Sequence, residues 1–127
     1  MEPLAAAVMM CIPMTSGPIP PPSAVIDAFI TAYNEHDMDT LRQLVAADAR
    51  MGPADQSEMI DGRTVIGLYE TSLFKRFPTV SIKVVQQISA GDMVAQTESI
   101  SGVGEDSVVL SAYRIDRGCI VSMSYSK

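Results

Sequence analysis

Residues 23–63 read SAVIDAFITAYNEHDMDTLRQLVAADARMGPADQSEMIDGR, and three marks inside that stretch decide the fold. Ala32-Tyr33-Asn34-Glu35-His36-Asp37 ends an amphipathic helix, Ala46-Ala47-Asp48-Ala49 closes a second and shorter one, and Asp61-Gly62-Arg63 opens a third. In the first, Val25, Ile26, Phe29, Ile30 and Tyr33 recur at one-face spacing, with Ser23 placed to cap the helix and Asp27 in its first turn. Asp37 is the expected cap of the second, which turns Met38, Leu41, Leu44 and Val45 inward. Residues 50–60 hold Gly52, Pro53 and many polar side chains, which predicts a loop with at most a short strand at its start. After Gly62 the spacing of Val65, Ile66, Tyr69, Leu73 and Phe77 predicts a helix until Pro78 forbids its continuation.

From there the period changes to two. Residues 80–84, 93–101, 108–115 and 120–125 are β-branched or alternating runs, separated by Ala90-Gly91-Asp92, by residues 102–106 and by Asp116-Arg117-Gly118. Short turns between successive strands predict an antiparallel meander, and three helices followed by such a sheet give an α+β layout with the helices covering one face. The domain is expected over residues 23–127. Residues 1–22 form an arm that ends in the stiff run Pro18-Ile19-Pro20-Pro21-Pro22.

The composition narrows the functional classes. A chain of 127 residues with 47% hydrophobic and 19% charged residues suits one globular core. Net charge is −6 and the nine Lys and Arg are scattered, so the clustered positive charge that neutralises phosphates is missing and no nucleic-acid partner is expected. Cys11 and Cys119 stand far apart with no CxxC pair, which indicates neither a redox motif nor a disulfide framework. A single histidine, His36, argues against a zinc site, and no cofactor is expected. The stretch from Leu4 to Met14 is apolar and runs into Ser16-Gly17, the outline of a signal peptide, while Glu2 stands where positive charge belongs. It is too short to span a bilayer, which takes about 20 residues. The other readings are an apolar arm packed on a partner subunit, or a start codon upstream of the real domain. A cytoplasmic location is expected, with export as the alternative.

Five motifs in order, Tyr33-Asn34-x-x-Asp37, Ala46-x-Asp48-Ala49, Asp61-Gly62-Arg63, Gly91-Asp92-x-Val94-Ala95 and Ile115-Asp116-x-Gly118-x-Ile120, resemble the NTF2-like superfamily of SnoaL-like and ketosteroid isomerase-like domains from residue 23 to the C-terminus. The resemblance implies a cone of three helices on a curved antiparallel sheet, a single deep pocket for a small hydrophobic or cyclic molecule, and a homodimer formed through the sheet face. Ketosteroid isomerase works with an Asp base and an oxyanion hole of a Tyr and a protonated Asp. Laid over this chain, the base falls at Pro53, the tyrosine at Phe29 and the aspartate at about Ser111, so all three groups are lost.

What the resemblance leaves is the pocket. Ala95, Thr97 and Ser99 are expected to face inward from one strand and Val109, Ser111 and Tyr113 from another, with Met123 and Tyr125 from the last strand, Phe29 and Tyr33 from the first helix, Ile66 from the third and Pro53 from the loop. The outer face has an apolar element in Val84, Val108, Leu110 and Ala112. Glu70 falls where the isomerase has a second pocket tyrosine, so it is a candidate acid or base; the competing placement is the solvent edge beside Arg63 or Lys75. Asp55, in the loop after the lost base, is the second candidate, against a plain solvated loop. His36 is expected to be exposed and Cys119 to be a packing thiol. Two functions stay open: a SnoaL-like isomerase, cyclase or lyase using a pocket carboxylate, or a ligand-binding or association module without catalysis.

Overall fold

Helix α1 (Pro22–Glu35) buries Val25, Ile26, Phe29, Ile30, Ala32 and Tyr33, the stripe its spacing requires. These coordinates are a computed structural model that describes residues 9–126; the apolar stretch ahead of residue 9 lies outside the described residues. Pro21, not Ser23, occupies the cap position, and no side chain caps the helix. Proline in the first turn lacks an N–H that would need a partner, so the helix starts two residues early at no loss. His36 ends α1 in the left-handed region at φ 55°. Asp37 then caps α2 (Met38–Leu44) by accepting from the Thr40 amide at 3.2 Å.

The second helix stops at Leu44, earlier than expected, and Val45–Pro53 forms strand β1. Alanine permits a helix here, but Val45, Ala46, Ala49 and Met51 are buried as a strand alongside a neighbour, and tertiary pairing overrides propensity. A short β2 (Ile60–Asp61) follows, then α3 (Gly62–Leu68), whose Asp61 cap accepts from the Thr64 amide at 2.8 Å. Gly62 is obligatory: a Cβ there would lie 2.2 Å from the Ala46 carbonyl oxygen. The helix continues through a π-helical turn (Tyr69–Leu73) into α4 (Phe74–Arg76). The π turn, closed by Phe74 N–H donating to the Tyr69 carbonyl, spaces the inward residues as Ile66, Tyr69 and Phe74 and leaves Phe77 half-buried.

Strands β3 (Ser81–Ala90), β4 (Met93–Ser101), β5 (Ser107–Asp116) and β6 (Cys119–Ser126) form the meander, and the six-stranded order is β2-β1-β6-β5-β4-β3. The sheet is mixed, not wholly antiparallel, because β1 pairs parallel with β6. Val84 alternates with Ile82 and pairs with the buried Glu98, so it faces the core, and the bulge after it leaves Val85 outside, which corrects the expectation that Val84 belongs to the outer face.

Cys11 and Cys119 are joined in a disulfide with Cα atoms 5.7 Å apart, contrary to the expectation of two unlinked thiols. A sequence separation of 108 carries no spacing signal. What unites them is topology: the Cys11 amide donates to the Val45 carbonyl at 3.0 Å and the Met14 amide to the Arg117 carbonyl at 2.9 Å, so the arm lies along the start of β1 and the β5–β6 turn. Among the described residues, no helix is long and apolar enough to cross a membrane.

Candidate functional site

The concave face of the sheet, α1 and the π turn enclose a cavity of about 300 Å³. All four tyrosines of the chain line it: Tyr33 from α1, Tyr69 from the π turn, Tyr113 from β5 and Tyr125 from β6. Asn34 holds α1 against β3, its Nδ2 donating to the Ile82 carbonyl at 2.8 Å and its Oδ1 accepting from the Ile82 amide at 2.7 Å. That clamp sets Tyr33 over the cavity, where its ring meets Tyr69 edge-on at 5.4 Å and Phe74 at 5.4 Å. Phe74 in turn stacks on His36 at 3.9 Å, so His36 is half-buried, not exposed.

At the wall of this aromatic chamber stands one carboxylate, Glu98 of β4, which is 3% exposed. Three side chains donate to it: Ser111 Oγ to Oε1 at 2.7 Å, Gln96 Nε2 to Oε2 at 2.6 Å, and the Tyr113 hydroxyl to Oε2. Hydrogen bonds to a charged acceptor contribute about 1.5–3 kcal/mol each, which offsets part of the cost of burying it. Gln96 is itself oriented, because its Oε1 accepts from Gln87 Nε2 at 2.9 Å, and Gln87 Nε2 also donates to Asp27 Oδ1 at 3.2 Å. A chain of fixed amides therefore runs from the surface of α1 to the buried carboxylate.

The phenols around Glu98 are held in their protonated form. Burial first, and the Glu98 charge second, push the Tyr33 hydroxyl up to about 12. Desolvation, with the same carboxylate, also pushes Tyr113 well above the usual phenol range, and desolvation, with Tyr33 and then Glu98, raises Tyr69. Tyr113 spends its proton on Glu98, whereas among the described residues Tyr33 and Tyr69 make no hydrogen bond to side chains or backbone through their hydroxyls. The chamber thus combines one carboxylate with two free hydroxyl donors on apolar walls of Phe29, Ile82, Ile100, Val103, Val109 and Met123.

Of the residues singled out in the sequence, Phe29, Tyr33, Val109, Ser111, Tyr113, Met123 and Tyr125 border this cavity. Pro53 borders a neighbouring recess and Ile66 is packed in the core. Ala95, Thr97 and Ser99 lie on the opposite face of β4 and are corrected: Glu98 pairs with Val109, Gln96 with Ser111 and Val94 with Tyr113, and directly paired residues share a face. Glu70 is at the solvent edge, its Oε1 accepting from Arg42 Nη2 at 2.8 Å, because the π turn directs Tyr69 inward in its place. Asp55 is exposed and accepts from the Ser57 amide at 2.9 Å and from the Ser57 hydroxyl, which hold its carboxyl below the usual range. Neither acid reaches the cavity. Glu98, Gln96 and Tyr69 were missed. Inside the β4 run, placing small and hydroxyl residues inward puts the charged residue outward, and only the parity of β5 gives the true register.

The family model for the SnoaL-like domain matches residues 26–123. The chain belongs to the SnoaL-like domain family. Similar solved structures share its NTF2-like fold. IdmH of Streptomyces antibioticus, provisionally assigned as a polyketide cyclase, matches with TM-score 0.70 and 23% identity over 83% of this chain and 90% of its own. A cystatin-fold protein of Novosphingobium aromaticivorans matches with TM-score 0.76 and 18% identity over 85% and 99%. A provisionally assigned ketosteroid isomerase of Kribbella flavida matches with TM-score 0.70 and 17% identity over 82% and 75%. No curated protein matches the chain. Among the described residues of this SnoaL-like protein, no group of three His, Cys, Asp or Glu side chains is placed to hold a metal ion.

Proposed function

We propose that this SnoaL-like protein binds a small, planar, oxygenated organic molecule in the tyrosine-lined cavity and moves a proton on it with Glu98. The observation that carries the reading is a buried carboxylate beside unspent phenol donors inside an otherwise apolar chamber. A ligand carbonyl accepts from Tyr33 or Tyr69, which acidifies the adjacent C–H. Glu98 takes that proton, the electron pair moves to the carbonyl oxygen, and the phenols stabilise the enolate. Return of the proton at another carbon is an isomerisation, and attack of the enolate on a second carbonyl is a cyclisation. Ser111, where the resemblance would put the isomerase's oxyanion acid, donates to Glu98 of the adjacent strand, so the carboxylate here is in the position of a base and the oxyanion donors are left to Tyr33 and Tyr69. The assignments of IdmH and of the Kribbella protein agree with this class of chemistry.

The test is hydrogen–deuterium exchange at the carbon next to the carbonyl of 2-tetralone in D2O, followed by NMR. Wild type should accelerate exchange, and Glu98→Gln should lose about 100-fold or more of that acceleration while binding the ketone comparably. The second reading, binding without turnover, is favoured by the three protein donors that already occupy Glu98. It predicts ketone binding with no exchange in wild type.

The sheet's outer face supports a homodimer: Val85, Ile88, Val108 and Leu110 are all more than half exposed there. The Cys11–Cys119 bond favours a compartment that permits disulfides over a reducing cytoplasm. Cleavage near Ser16-Gly17 would sever the chain between Cys11 and the domain.

A further inference from the structure

Beside the Glu98 chamber lies a second recess of about 290 Å³, between β1, β2 and α3. The two share three side chains, Tyr69, Met123 and Tyr125, as a common wall. The second recess is otherwise mostly apolar, built from Met51, Pro53, Ile60 and Val65, and among the described residues its one acid, Glu58, is exposed at the rim. Apart from the shared Tyr69 hydroxyl, which the ring beside Glu98 uses, the side chains lining the recess bring no buried donor to recognise an oxygen atom, so the chemistry it suits is hydrocarbon. Tyr125, 40% exposed, also borders a shallow surface recess with Pro53, Ala54 and Asp55. That places Tyr125 where surface, second recess and Glu98 chamber meet.

We infer that the two recesses are subsites of one cleft, and that the ligand is an elongated molecule: an oxygenated ring beside Glu98 carrying an apolar arm that passes Met123 into the second recess. The inference rests on the proposed ligand site and deepens it by naming the shape of the ligand. Each recess alone sits at the floor of the range for small-molecule pockets, about 300–1,000 Å³, and joined they fall well inside it. The dividing wall suits passage, because methionine has three rotatable bonds and a thioether that adapts to its neighbours, and Tyr125 is partly exposed at the surface.

The experiment measures the affinity of the full chain for 2-naphthol and for 6-alkyl-2-naphthols from methyl to hexyl, by naphthol fluorescence. If the arm enters the second recess, affinity rises by about fourfold per methylene through the short homologues, the increment for burying a CH₂ group. Ile60→Trp fills that recess from its exposed rim, Ile60 being 39% exposed on an edge strand, and should flatten the series while leaving 2-naphthol itself within about twofold. Unchanged binding of 2-naphthol also shows that the variant is folded. A flat series in wild type, or the same slope in Ile60→Trp, overturns the two-subsite inference while leaving the Glu98 site standing. Absence of saturable 2-naphthol binding overturns the ligand site itself.

Discussion

Reduction of Cys11–Cys119 should destabilise the protein by about 5 kcal/mol without touching the cavity. Cross-linking positions 108 apart removes chain entropy from the unfolded ensemble. The loop-closure relation gives about 16 cal/mol/K for that separation, or roughly 4.8 kcal/mol at 25 °C. That approaches the whole stability of an ordinary domain, 5–15 kcal/mol, and should lower Tm by about 15–20 °C. The clean perturbation is Cys11→Ser, because Cys11 is half-buried, whereas Cys119 is fully buried and a hydroxyl there adds an independent penalty. Urea denaturation of wild type and Cys11→Ser gives the difference, and adding dithiothreitol to wild type should reproduce the variant. The bond joins the arm to the β5–β6 turn, while the cavity is bordered by Ile100, Val103 and Ser107 at the other end of β4 and β5. 2-Naphthol affinity should therefore be equal in the two proteins at temperatures where both are folded. A loss below about 1 kcal/mol would refute the reasoning, since it would mean that the arm is ordered in the unfolded chain or that the bond does not form.

Three further outcomes follow from the packing and the site. Burial raises the folded-state value of Tyr33 to about 12, so its contribution to stability is complete below about pH 10 and is lost as pH rises through about 12; Tyr69 and Tyr113 are raised in the same direction, and the phenolate absorbance of the three should appear together with unfolding and not before it. Gly62→Ala should cost at least about 3 kcal/mol in chemical denaturation, because its Cβ would meet backbone and not a movable side-chain tip. Leu110→Arg on the 53% exposed outer position should convert the proposed dimer to monomer in light scattering while leaving 2-naphthol binding unchanged.

The helical half of the fold was legible because apolar spacing and caps are local. Val25 to Tyr33 carried α1, and Asp37 and Asp61 carried the next two helix starts through short side-chain bonds to the Thr40 and Thr64 amides. The meander was legible from turn residues. Less legible was whatever depends on partners remote in sequence. β1 is a strand because β6 runs parallel to it, and the disulfide exists because the arm lies along both. The site suffered from the same limit. Glu98 reads as a surface residue until Ser111, Tyr113 and Gln96 converge on it, and Glu70 reads as a pocket acid or a solvent-edge residue alike until the π turn settles the helix face. A buried charge breaks the sequence pattern of its strand, so pattern reading assigns it to the wrong side.

Tyrosine is a built-in probe of the site, since all four residues line the Glu98 cavity. The measurement that tests the central claim most directly is NMR of the protein labelled with 13C at the tyrosine ring carbon bearing the hydroxyl, titrated with 2-naphthol. The account predicts saturable shifts at Tyr33 and Tyr69, whose hydroxyls are free to bond the ligand, with a smaller response at Tyr113 on Glu98. Saturable binding that leaves all four tyrosine signals in place would put the ligand elsewhere on the molecule and contradict the account.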